Sequence, residues 1–252
     1  MSCSCLLITR PPEEGRELAR LVEDMDLRCV LLPAHEFAAV QPARDELVPL
    51  ETAAASANPP LVIFTSTRAV KFGLMQLGAG ILQRSQLAAI GSATAAALQQ
   101  AGFSKVLQPS NGYTSEDLLK SIASLPAQGS REAWIVAAEG GRTLLLRGLQ
   151  GMGINSRMLL VYERRAATLP EEQVRQLQNC DRVISVWTSA DAMKLLAAGL
   201  APDAWKKVCA GEWLVISQRL ADFASQFGPH AVHFSSGPAN PALAAAIRQV
   251  AA

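Results

Sequence analysis

The chain has 252 residues, of which half are apolar and 18% are charged, and its formal net charge is +1. This composition can fill a hydrophobic core and argues against a disordered protein. A nucleic-acid partner is not expected, because such proteins usually carry a basic surface. No apolar run approaches the roughly 20 residues that cross a bilayer, and the first residues lack the features of a signal peptide. We therefore expect a cytoplasmic protein that contacts neither nucleic acid nor membrane.

Short apolar runs alternate with segments of helical periodicity along the whole chain. This alternation is typical of βαβ units with a parallel sheet. The predicted strands are 5–8, 29–32, 61–64, 86–90, 105–107, 134–137, 158–162, 182–187, 213–216 and 231–234. They divide naturally into two five-stranded parallel sheets flanked by helices, so the predicted fold class is α/β.

Three strand-to-helix junctions recur about half a chain length further on. The paired junctions are 89–102 with 215–228, 63–69 with 186–192, and Gly15-Arg16 with Gly141-Arg142, at spacings of 126, 123 and 126 positions. Self-similarity at a long fixed spacing indicates a duplicated architecture. The repeat therefore predicts two similar α/β units.

Two stretches interrupt the alternation of strands and helices. Residues 34–60 contain four prolines and have room for at most one helix in their middle, and residues 163–170 are polar. We interpret both stretches as crossings between domains. The first domain is then discontinuous, formed by residues 1–37 and 164–252, and the second domain comprises residues 38–163.

The few cysteines and histidines do not predict a metal centre. Five cysteines form an odd set without regular spacing, as expected where thiols stay reduced. Cys3 and Cys5 are too close together and too isolated to form half of a usual zinc site. His230 and His233 fall in a predicted strand, where residues three positions apart point to opposite faces.

Glycine, serine and threonine are concentrated at the turns that lead from strands into helices. In an open parallel sheet, ligands bind beyond the carboxyl ends of the strands, where helix N-termini offer backbone N–H groups and partial positive charge. The candidate substrate-binding residues at these turns are Arg10, Thr65, Ser66, Ser92, Thr94, Gly140, Gly141, Arg142, Thr188, Ser189, Ser217 and Arg219. Such turns predict a site for carboxylates or phosphates. The alternative is that they only cap their helices and that the arginines are solvated.

Familiar catalytic signatures are missing from the chain. There is no phosphate-binding P-loop, no dinucleotide fingerprint, no nucleophile elbow and no plausible Ser-His-Asp order. Against this background the two tyrosines gain interest, because a tyrosine hydroxyl can assist a departing hydroxyl group. Tyr162 ends a predicted strand and Tyr113 starts a predicted helix. A packing role with a hydrated hydroxyl is the alternative for Tyr162.

Taken together, the strand ends and turns described above resemble those of the uroporphyrinogen-III synthase family. The segments that carry the resemblance, in the order and spacing of the family, are Ile8-Thr9-Arg10-Pro11, Ile63-Phe64-Thr65-Ser66, Ile90-Gly91-Ser92-Ala93-Thr94-Ala95, Gly141-Arg142, Val161-Tyr162-Glu163 and Trp187-Thr188-Ser189. Each motif is weak alone, but the ordered set covers nearly the whole chain.

The resemblance implies a fold and a reaction. The fold is two flavodoxin-like domains joined by a two-strand linker, with a cleft between the domains. The reaction is the cyclisation of hydroxymethylbilane to uroporphyrinogen III, with inversion of ring D and loss of water, by a lyase of haem-type tetrapyrrole biosynthesis. No cofactor is needed, the partner is the small-molecule substrate, and we expect a monomer.

The resemblance also assigns roles to particular residues. Tyr162 matches the family tyrosine that helps the hydroxyl to depart, so it is the predicted catalytic residue. Thr94 matches a threonine at the edge of the second domain's cleft. One position departs from the family pattern, since Leu220 stands where a threonine is often found. Either Ser217 or Arg219 takes over its contact, or the contact is dispensable.

Two other classes of function remain open for a chain of this type, because a fold alone does not determine function. One is a non-catalytic protein that binds or senses tetrapyrroles or small anions. The other is a nucleotide-sugar glycosyltransferase, which also has two α/β domains, although no motif here indicates a nucleotide.

Overall fold

The computed structural model describes residues 3–110, 112–124, 132–139 and 143–251. The chain divides into two units, which we call unit 1 and unit 2. Unit 1 contains Met1–Glu36 and Arg165–Ala252, and unit 2 contains Phe37–Arg164. Unit 1 is therefore built from both ends of the chain, and unit 2 is continuous in sequence.

Strands and helices alternate through both units, as the apolar runs predict. The strands are β1 (Ser4–Ile8), β2 (Arg28–Leu31), β3 (His35–Ala39), β4 (Leu61–Phe64), β5 (Gln86–Ala89), β6 (Val106–Leu107), β7 (Glu132–Ala138), β8 (Asn155–Ala166), β9 (Arg182–Trp187), β10 (Glu212–Val215) and β11 (Ala231–Phe234). The helices are α1 (Pro12–Arg20), α2 (Arg44–Ala54), α3 (Thr67–Leu77), α4 (Ala79–Gln83), α5 (Ser92–Gln100), α6 (Ser115–Ala123), α7 (Leu144–Gly151), α8 (Glu171–Gln178), α9 (Ala190–Gly199), α10 (Pro202–Cys209), α11 (Gln218–Ala224) and α12 (Asn240–Ala251), with a 3₁₀ turn at Ser225–Phe227.

The sheet of unit 1 has five strands in the order β2-β1-β9-β10-β11. Its strand pairs are parallel, and Leu7 of β1 pairs with Val30 and Ser185 on either side. Successive side chains point to opposite faces of a strand, and helices cover both faces here, so the central strands are mainly apolar. Leu7 belongs to the core on one face, whereas Leu6 and Ile8 belong to the core on the other.

Three tryptophans fill one face of the unit 1 sheet. The ring centroids of Trp187 and Trp213 are 4.7 Å apart, and Trp205 contacts both rings at 6.2 and 5.7 Å. The indole N–H of Trp187 donates to the Ser185 hydroxyl at 2.7 Å, and that of Trp213 donates to the Val208 carbonyl at 2.9 Å. These buried donors are therefore paired, as burial requires.

The sheet of unit 2 has six strands in the order β3-β8-β7-β4-β5-β6. Strands β8, β7, β4, β5 and β6 pair in parallel. Helix α3 lies very close to the sheet at Gly73, where a β-carbon would come within 2.8 Å of Phe64 Cε1 and 3.1 Å of Val136 Cγ1. The missing side chain of Gly73 therefore permits this close approach.

The two sheets share one spatial order once strand β3 is set aside. From one edge to the other, β2-β1-β9-β10-β11 of unit 1 corresponds to β8-β7-β4-β5-β6 of unit 2. The repeated junctions follow this correspondence, because β4 and β5 match β9 and β10, and β7 matches β1. In unit 1 the first of these strands along the chain is β1, next to the edge, whereas in unit 2 it is β4, in the centre. The two units therefore differ by a circular permutation.

The predicted α/β fold with parallel sheets and flanking helices is confirmed, and two strand predictions are wrong. Unit 2 has six strands rather than five, because β3 was not predicted. It is a half-buried edge strand that begins with His35 and Glu36, and its apolar part, Phe37 to Ala39, is short. Strand β8 also continues past Tyr162 to Ala166, through the half-buried Glu163 and the exposed Arg164 and Arg165. Tyr162 therefore lies inside a strand and not at its end.

The stretch between β3 and β4 contains a single helix, α2, in agreement with its proline spacing. None of the helices in the described part of the chain is both long and apolar enough to cross a bilayer.

Candidate active site

A cavity of about 540 Å³ lies in unit 2 at the carboxyl ends of β4, β5 and β7. This is the edge of a parallel sheet at which ligands bind in open α/β folds. The residues that line it are Thr65, Ser66, Ile90, Tyr113, Thr114, Ser115, Glu116, Ala137, Ala138, Leu145, Met158 and Tyr162. The cavity is therefore mainly apolar, with hydroxyl groups from three segments of the chain.

Tyr162 is held on one wall of this cavity. Its side chain is only 7% exposed. The ring stacks on Phe72 of α3 with centroids 5.2 Å apart and an interplanar angle of 14°, and Phe37 meets it edge-on at 6.0 Å. Its hydroxyl oxygen lies 3.2 Å from the hydroxyl oxygen of Ser66. Two aromatic rings fix the plane of the tyrosine, and Ser66 fixes the position of its oxygen.

Thr65 and Ser66 form the turn between β4 and α3, and each hydroxyl has a structural partner. The Thr65 hydroxyl donates to the Val136 carbonyl of β7 at 3.0 Å. Ser66 is the N-cap of α3, and its hydroxyl accepts from the Ala69 N–H at 3.0 Å. The capping role is one of the two roles that the sequence left open for this residue.

The segment that leads into α6 forms another part of the lining. Tyr113 is 81% exposed, and it precedes the N-cap Thr114 instead of starting the helix as predicted. Gly91, the N-cap residue of α5, packs directly against this segment, since a β-carbon there would come within 2.9 Å of Tyr113 Cβ. Its backbone is extended, with φ at −172°, so the requirement for glycine comes from space and not from conformation.

Thr114 and Asp117 close the start of α6 as a capping box. The Thr114 hydroxyl accepts from the Asp117 N–H at 3.2 Å and donates to the Asp117 carboxylate at 2.7 Å. This hydrogen bond from Thr114 lowers the pKa of Asp117. The candidate site residues did not include Tyr113, Thr114, Ser115 or Glu116. The spacing Thr-x-x-Asp is a helix-start signal that could have found them.

Two other predicted site residues of unit 2 are described by the structure, Ser92 and Thr94. Ser92 is the exposed first residue of α5, and Thr94 in the same helix is buried at 4% exposure. Neither residue lines the cavity. Gly140, Gly141 and Arg142 lie outside the described residues.

The predicted residues of unit 1 lie at the carboxyl ends of its strands. Ser189 caps α9 by accepting from the Ala192 N–H at 3.2 Å, and Ser217 caps α11 by accepting from the Leu220 N–H at 3.4 Å. Thr188 is half-buried beside Ser189, and Arg219 is exposed in the first turn of α11.

Arg10 follows β1, and its guanidinium donates to the carbonyl of Pro238. The candidate arginine of this turn is therefore bonded to the segment before α12. Arg10 joins the two chain ends of unit 1 by this contact, because β1 is the first strand and α12 the last helix.

Leu220 is 2% exposed and packs in the core of unit 1. Its backbone N–H faces the Ser217 hydroxyl, while its side chain contributes to the apolar interior. A leucine here favours packing, so a polar contact at this position would have to come from another residue.

Among the described residues, no group of three or more His, Cys, Asp and Glu side chains is arranged to hold a metal ion. His233 instead pairs with Glu212, with its Nε2 atom 2.9 Å from the carboxylate. Burial alone would raise the pKa of Glu212, but Arg182 and His233 together lower it.

A comparison with known families identifies the family of the chain. The family model of uroporphyrinogen-III synthase HemD matches residues 16–245. The chain belongs to the uroporphyrinogen-III synthase family. The family predicted from the ordered motifs is confirmed, and family members are enzymes.

Relatives of the uroporphyrinogen-III synthase family match the chain over different lengths. The uroporphyrinogen-III synthase of Escherichia coli is 28% identical over 251 residues, which covers 96% of this chain and 99% of that protein. A putative uroporphyrinogen-III synthase of Methanothermobacter thermautotrophicus is 33% identical over 173 residues. That match covers 66% of this chain and 64% of the relative, so the chain spans less than two thirds of its length.

Solved uroporphyrinogen-III synthase structures are similar in fold. The structure from Helicobacter pylori has a TM-score of 0.59 at 16% identity, with coverage of 98% of this chain and 99% of the other. A mutant of the Thermus thermophilus enzyme has a TM-score of 0.50 at 19% identity, with the same coverage. At these identities the likeness concerns the fold alone.

Proposed function

We propose that this chain is a uroporphyrinogen-III synthase that converts hydroxymethylbilane into uroporphyrinogen III, with inversion of ring D and loss of water. The observation that carries the proposal is the family match over residues 16–245. The reaction makes the enzyme a lyase of tetrapyrrole biosynthesis. The two rival functions, a tetrapyrrole or anion sensor and a nucleotide-sugar glycosyltransferase, are not favoured by the family or by the named relatives.

The reaction asks for positioning more than for strong acids or bases. The ring-A hydroxyl leaves, its carbon–oxygen bond breaks, and the pyrrole nitrogen supplies the electron pair, which gives an azafulvene. The substituted carbon of ring D attacks this carbon to form a spiro intermediate, and fragmentation and reclosure leave ring D inverted. The protein mainly has to fold the chain into the reactive arrangement and exclude simple closure.

Tyr162 is our proposed catalytic residue for the departure of the hydroxyl. Its oxygen is fixed by Ser66 and its ring by Phe72 and Phe37. A positioned phenol can pass its proton to the departing oxygen, which then leaves as water, and the proton lost from the ring-A pyrrole nitrogen restores the phenol. The role that the family resemblance assigns is supported by this position on the cavity wall.

The size of the cavity suits part of the substrate. Pockets for small molecules usually measure about 300–1,000 Å³, and this cavity of about 540 Å³ falls in that range. We propose that it receives one end of the linear tetrapyrrole, with apolar contacts from Ile90, Leu145 and Met158 to a pyrrole ring. Thr65, Thr114 and Ser115 contribute polar atoms at the same place.

The remaining predicted binding residues keep their role as proposals. We propose that substrate carboxylates bind at the turns that precede α9 and α11 and at those near α1, α5 and α7, where helix N-termini provide donors. The residues concerned are Arg10, Ser92, Thr94, Gly140, Gly141, Arg142, Thr188, Ser189, Ser217 and Arg219.

We further propose that both units are flavodoxin-like domains, with boundaries at 1–37 plus 164–252 and 38–163. The strand order of unit 1, numbered within the unit, is 2-1-3-4-5, which is the order of flavodoxin-like sheets. Unit 2 has the same order after circular permutation. The division into Met1–Glu36 with Arg165–Ala252 and Phe37–Arg164 supports these boundaries. The cleft, the two-strand linker, the monomeric state and the cytoplasmic location stay predictions.

Product analysis tests the proposed function directly. Hydroxymethylbilane, made in situ by its own synthase, closes spontaneously to uroporphyrinogen I, so only a uroporphyrinogen-III synthase gives isomer III. We expect isomer III to dominate when the chain is present and isomer I when it is omitted. Isomer I in both samples would refute the function, and tight binding of a nucleotide diphosphate would favour the glycosyltransferase.

A further inference from the structure

The hydroxyl of Ser66 makes two hydrogen-bonding contacts inside the protein. A serine hydroxyl carries one hydrogen and two lone pairs. One lone pair accepts from the Ala69 N–H at 3.0 Å. The same oxygen lies 3.2 Å from the Tyr162 oxygen, in a position where either atom can be the donor. If Ser66 donates to Tyr162, its only hydrogen is used inside the protein.

The direction of this hydrogen bond decides what Tyr162 can do. If the phenol donates to Ser66, its hydrogen points into the protein and is not available to a departing hydroxyl. If Ser66 donates to the phenol oxygen, the phenol hydrogen is free to point into the cavity. Only the second direction is compatible with donation from Tyr162 to the substrate.

We infer that Ser66 is a positioning residue for Tyr162, whose hydroxyl donates to the phenol oxygen and thereby directs the phenol hydrogen to the departing hydroxyl of the substrate. This inference rests on the proposed function. The donors then form one chain, from the Ala69 N–H through Ser66 and Tyr162 to the leaving oxygen. It revises the sequence-based prediction that Ser66 contacts the substrate directly.

The position of Ser66 at a helix start strengthens this chain. Ser66 caps α3, which has 11 residues, so its oxygen lies at the positive end of the helix dipole. Negative charge develops on the Tyr162 oxygen as its hydrogen moves toward the leaving group. A donated hydrogen bond from a hydroxyl polarised by the helix stabilises that charge. The helix dipole therefore acts on the leaving group through Ser66 and Tyr162, without direct contact between helix and substrate.

The same helix also fixes the tyrosine ring. Phe72, which stacks on Tyr162, lies in α3 less than two turns after Ser66. Phe37 restrains the ring from another side, and the Arg68 guanidinium lies 4.1 Å above the Phe37 ring centroid. Because these contacts restrain the ring, rotation of the phenol O–H bond is the main motion left to the Tyr162 side chain. A hydrogen bond donated by Ser66 to the phenol oxygen restricts that rotation.

A double-mutant cycle with Ser66→Ala and Tyr162→Phe tests the inference. We expect Ser66→Ala to lower kcat about tenfold with Tyr162 present, as for the loss of one useful hydrogen bond, with little change in KM. With phenylalanine at position 162, the same substitution should change kcat less than about twofold, because its target oxygen is gone. Ser66→Thr keeps both the hydroxyl and the cap, so it should restore most of kcat.

Ser66→Ala removes both the helix cap and the hydrogen bond to Tyr162, and measurements of thermal stability distinguish the two effects. Removing the cap lowers the melting temperature equally in the two backgrounds, whereas the effect on kcat depends on Tyr162. Equal kcat losses in both backgrounds, or a raised KM with unchanged kcat, would overturn the inference. Failure of the proposed function is distinct, since it appears as absence of isomer III with the unsubstituted chain.

Discussion

Substitution of Gly73 by alanine tests how closely helix α3 must approach the sheet to support Tyr162. The new β-carbon would lie 2.8 Å from Phe64 Cε1, about 0.6 Å short of the 3.4 Å at which ordinary contact begins, and 3.1 Å from Val136 Cγ1. Phe64 and Val136 are both fully buried, so neither side chain can turn away into solvent. The helix has to move outward or the core has to rearrange.

The expected cost follows from two opposing terms. Overpacking of a close-packed core typically costs about 1–3 kcal/mol, whereas alanine in place of glycine inside a helix gains up to about 1 kcal/mol. We expect a net loss of roughly 1 kcal/mol in the free energy of unfolding. Because α3 carries both Ser66 and Phe72, its displacement should also lengthen the 3.2 Å contact with Tyr162 and lower turnover about tenfold.

The matched control is Gly80→Ala at an exposed position of helix α4, where no atom lies within 4 Å of the new β-carbon. This variant gains helix propensity without overpacking, so it should be as stable as the parent chain or slightly more stable, with full turnover. Urea unfolding followed by circular dichroism gives the stabilities, and the rate of isomer III formation gives the turnover. If Gly73→Ala is as stable and as active as Gly80→Ala, the close approach of α3 does not support Tyr162.

Three further predictions concern other parts of the molecule. Tyr162→Phe should lower turnover roughly ten- to a thousandfold, measured with hydroxymethylbilane made in situ, and full activity would remove Tyr162 from the mechanism. Glu212→Gln should lower the melting temperature at neutral pH, and the difference should shrink as the pH falls below about 4.5. A carboxyl group with a lowered pKa stabilises the fold fully above its ordinary pKa of 4.5, and it loses this effect as the pH falls through the pKa of the folded state. A difference that does not change with pH would exclude this ion pair as the cause. Hydrogen peroxide should oxidise Cys3 and Cys180, whose sulfur atoms are 3.9 Å apart, to a disulfide, while the peroxide is reduced to water. Mass spectrometry of peptides prepared without a reducing agent detects the link, which Cys180→Ser should abolish. Unlinked peptides from the parent chain would contradict the prediction.

Much of the fold was predictable because its strands are buried on both faces. Such strands read as continuous apolar runs, so β1, β4 and β9 stand out from their surroundings without any knowledge of their neighbours. The caps at Ser66 and Ser189 were predictable for a similar reason, since a cap depends on residues only three positions apart. Strand β3 escaped prediction because a half-buried edge strand depends on its partner β8 rather than on its own pattern.

Part of the candidate site was likewise predictable from the sequence, and part depended on tertiary packing. The role of Tyr162 was assigned from an ordered set of motifs that covers nearly the whole chain. The family match confirms the family to which these motifs point, and the role of Tyr162 stays a prediction. The second wall of the cavity was not predicted, because Tyr113 approaches Gly91 only through tertiary packing. Leu220 was recognised as a departure from the family pattern, but only the structure places its side chain in the core.

By itself, then, the sequence determined the alternation of elements, the duplicated junctions and the family, since each of these depends on residue types in local or ordered patterns. The tertiary structure decided the circular permutation of the two sheets, the lining of the cavity and the partners of the Ser66 hydroxyl. These features join segments far apart in the chain: 96 positions separate Ser66 from Tyr162. Packing of α3 on the sheet brings them together, and no local pattern specifies that contact.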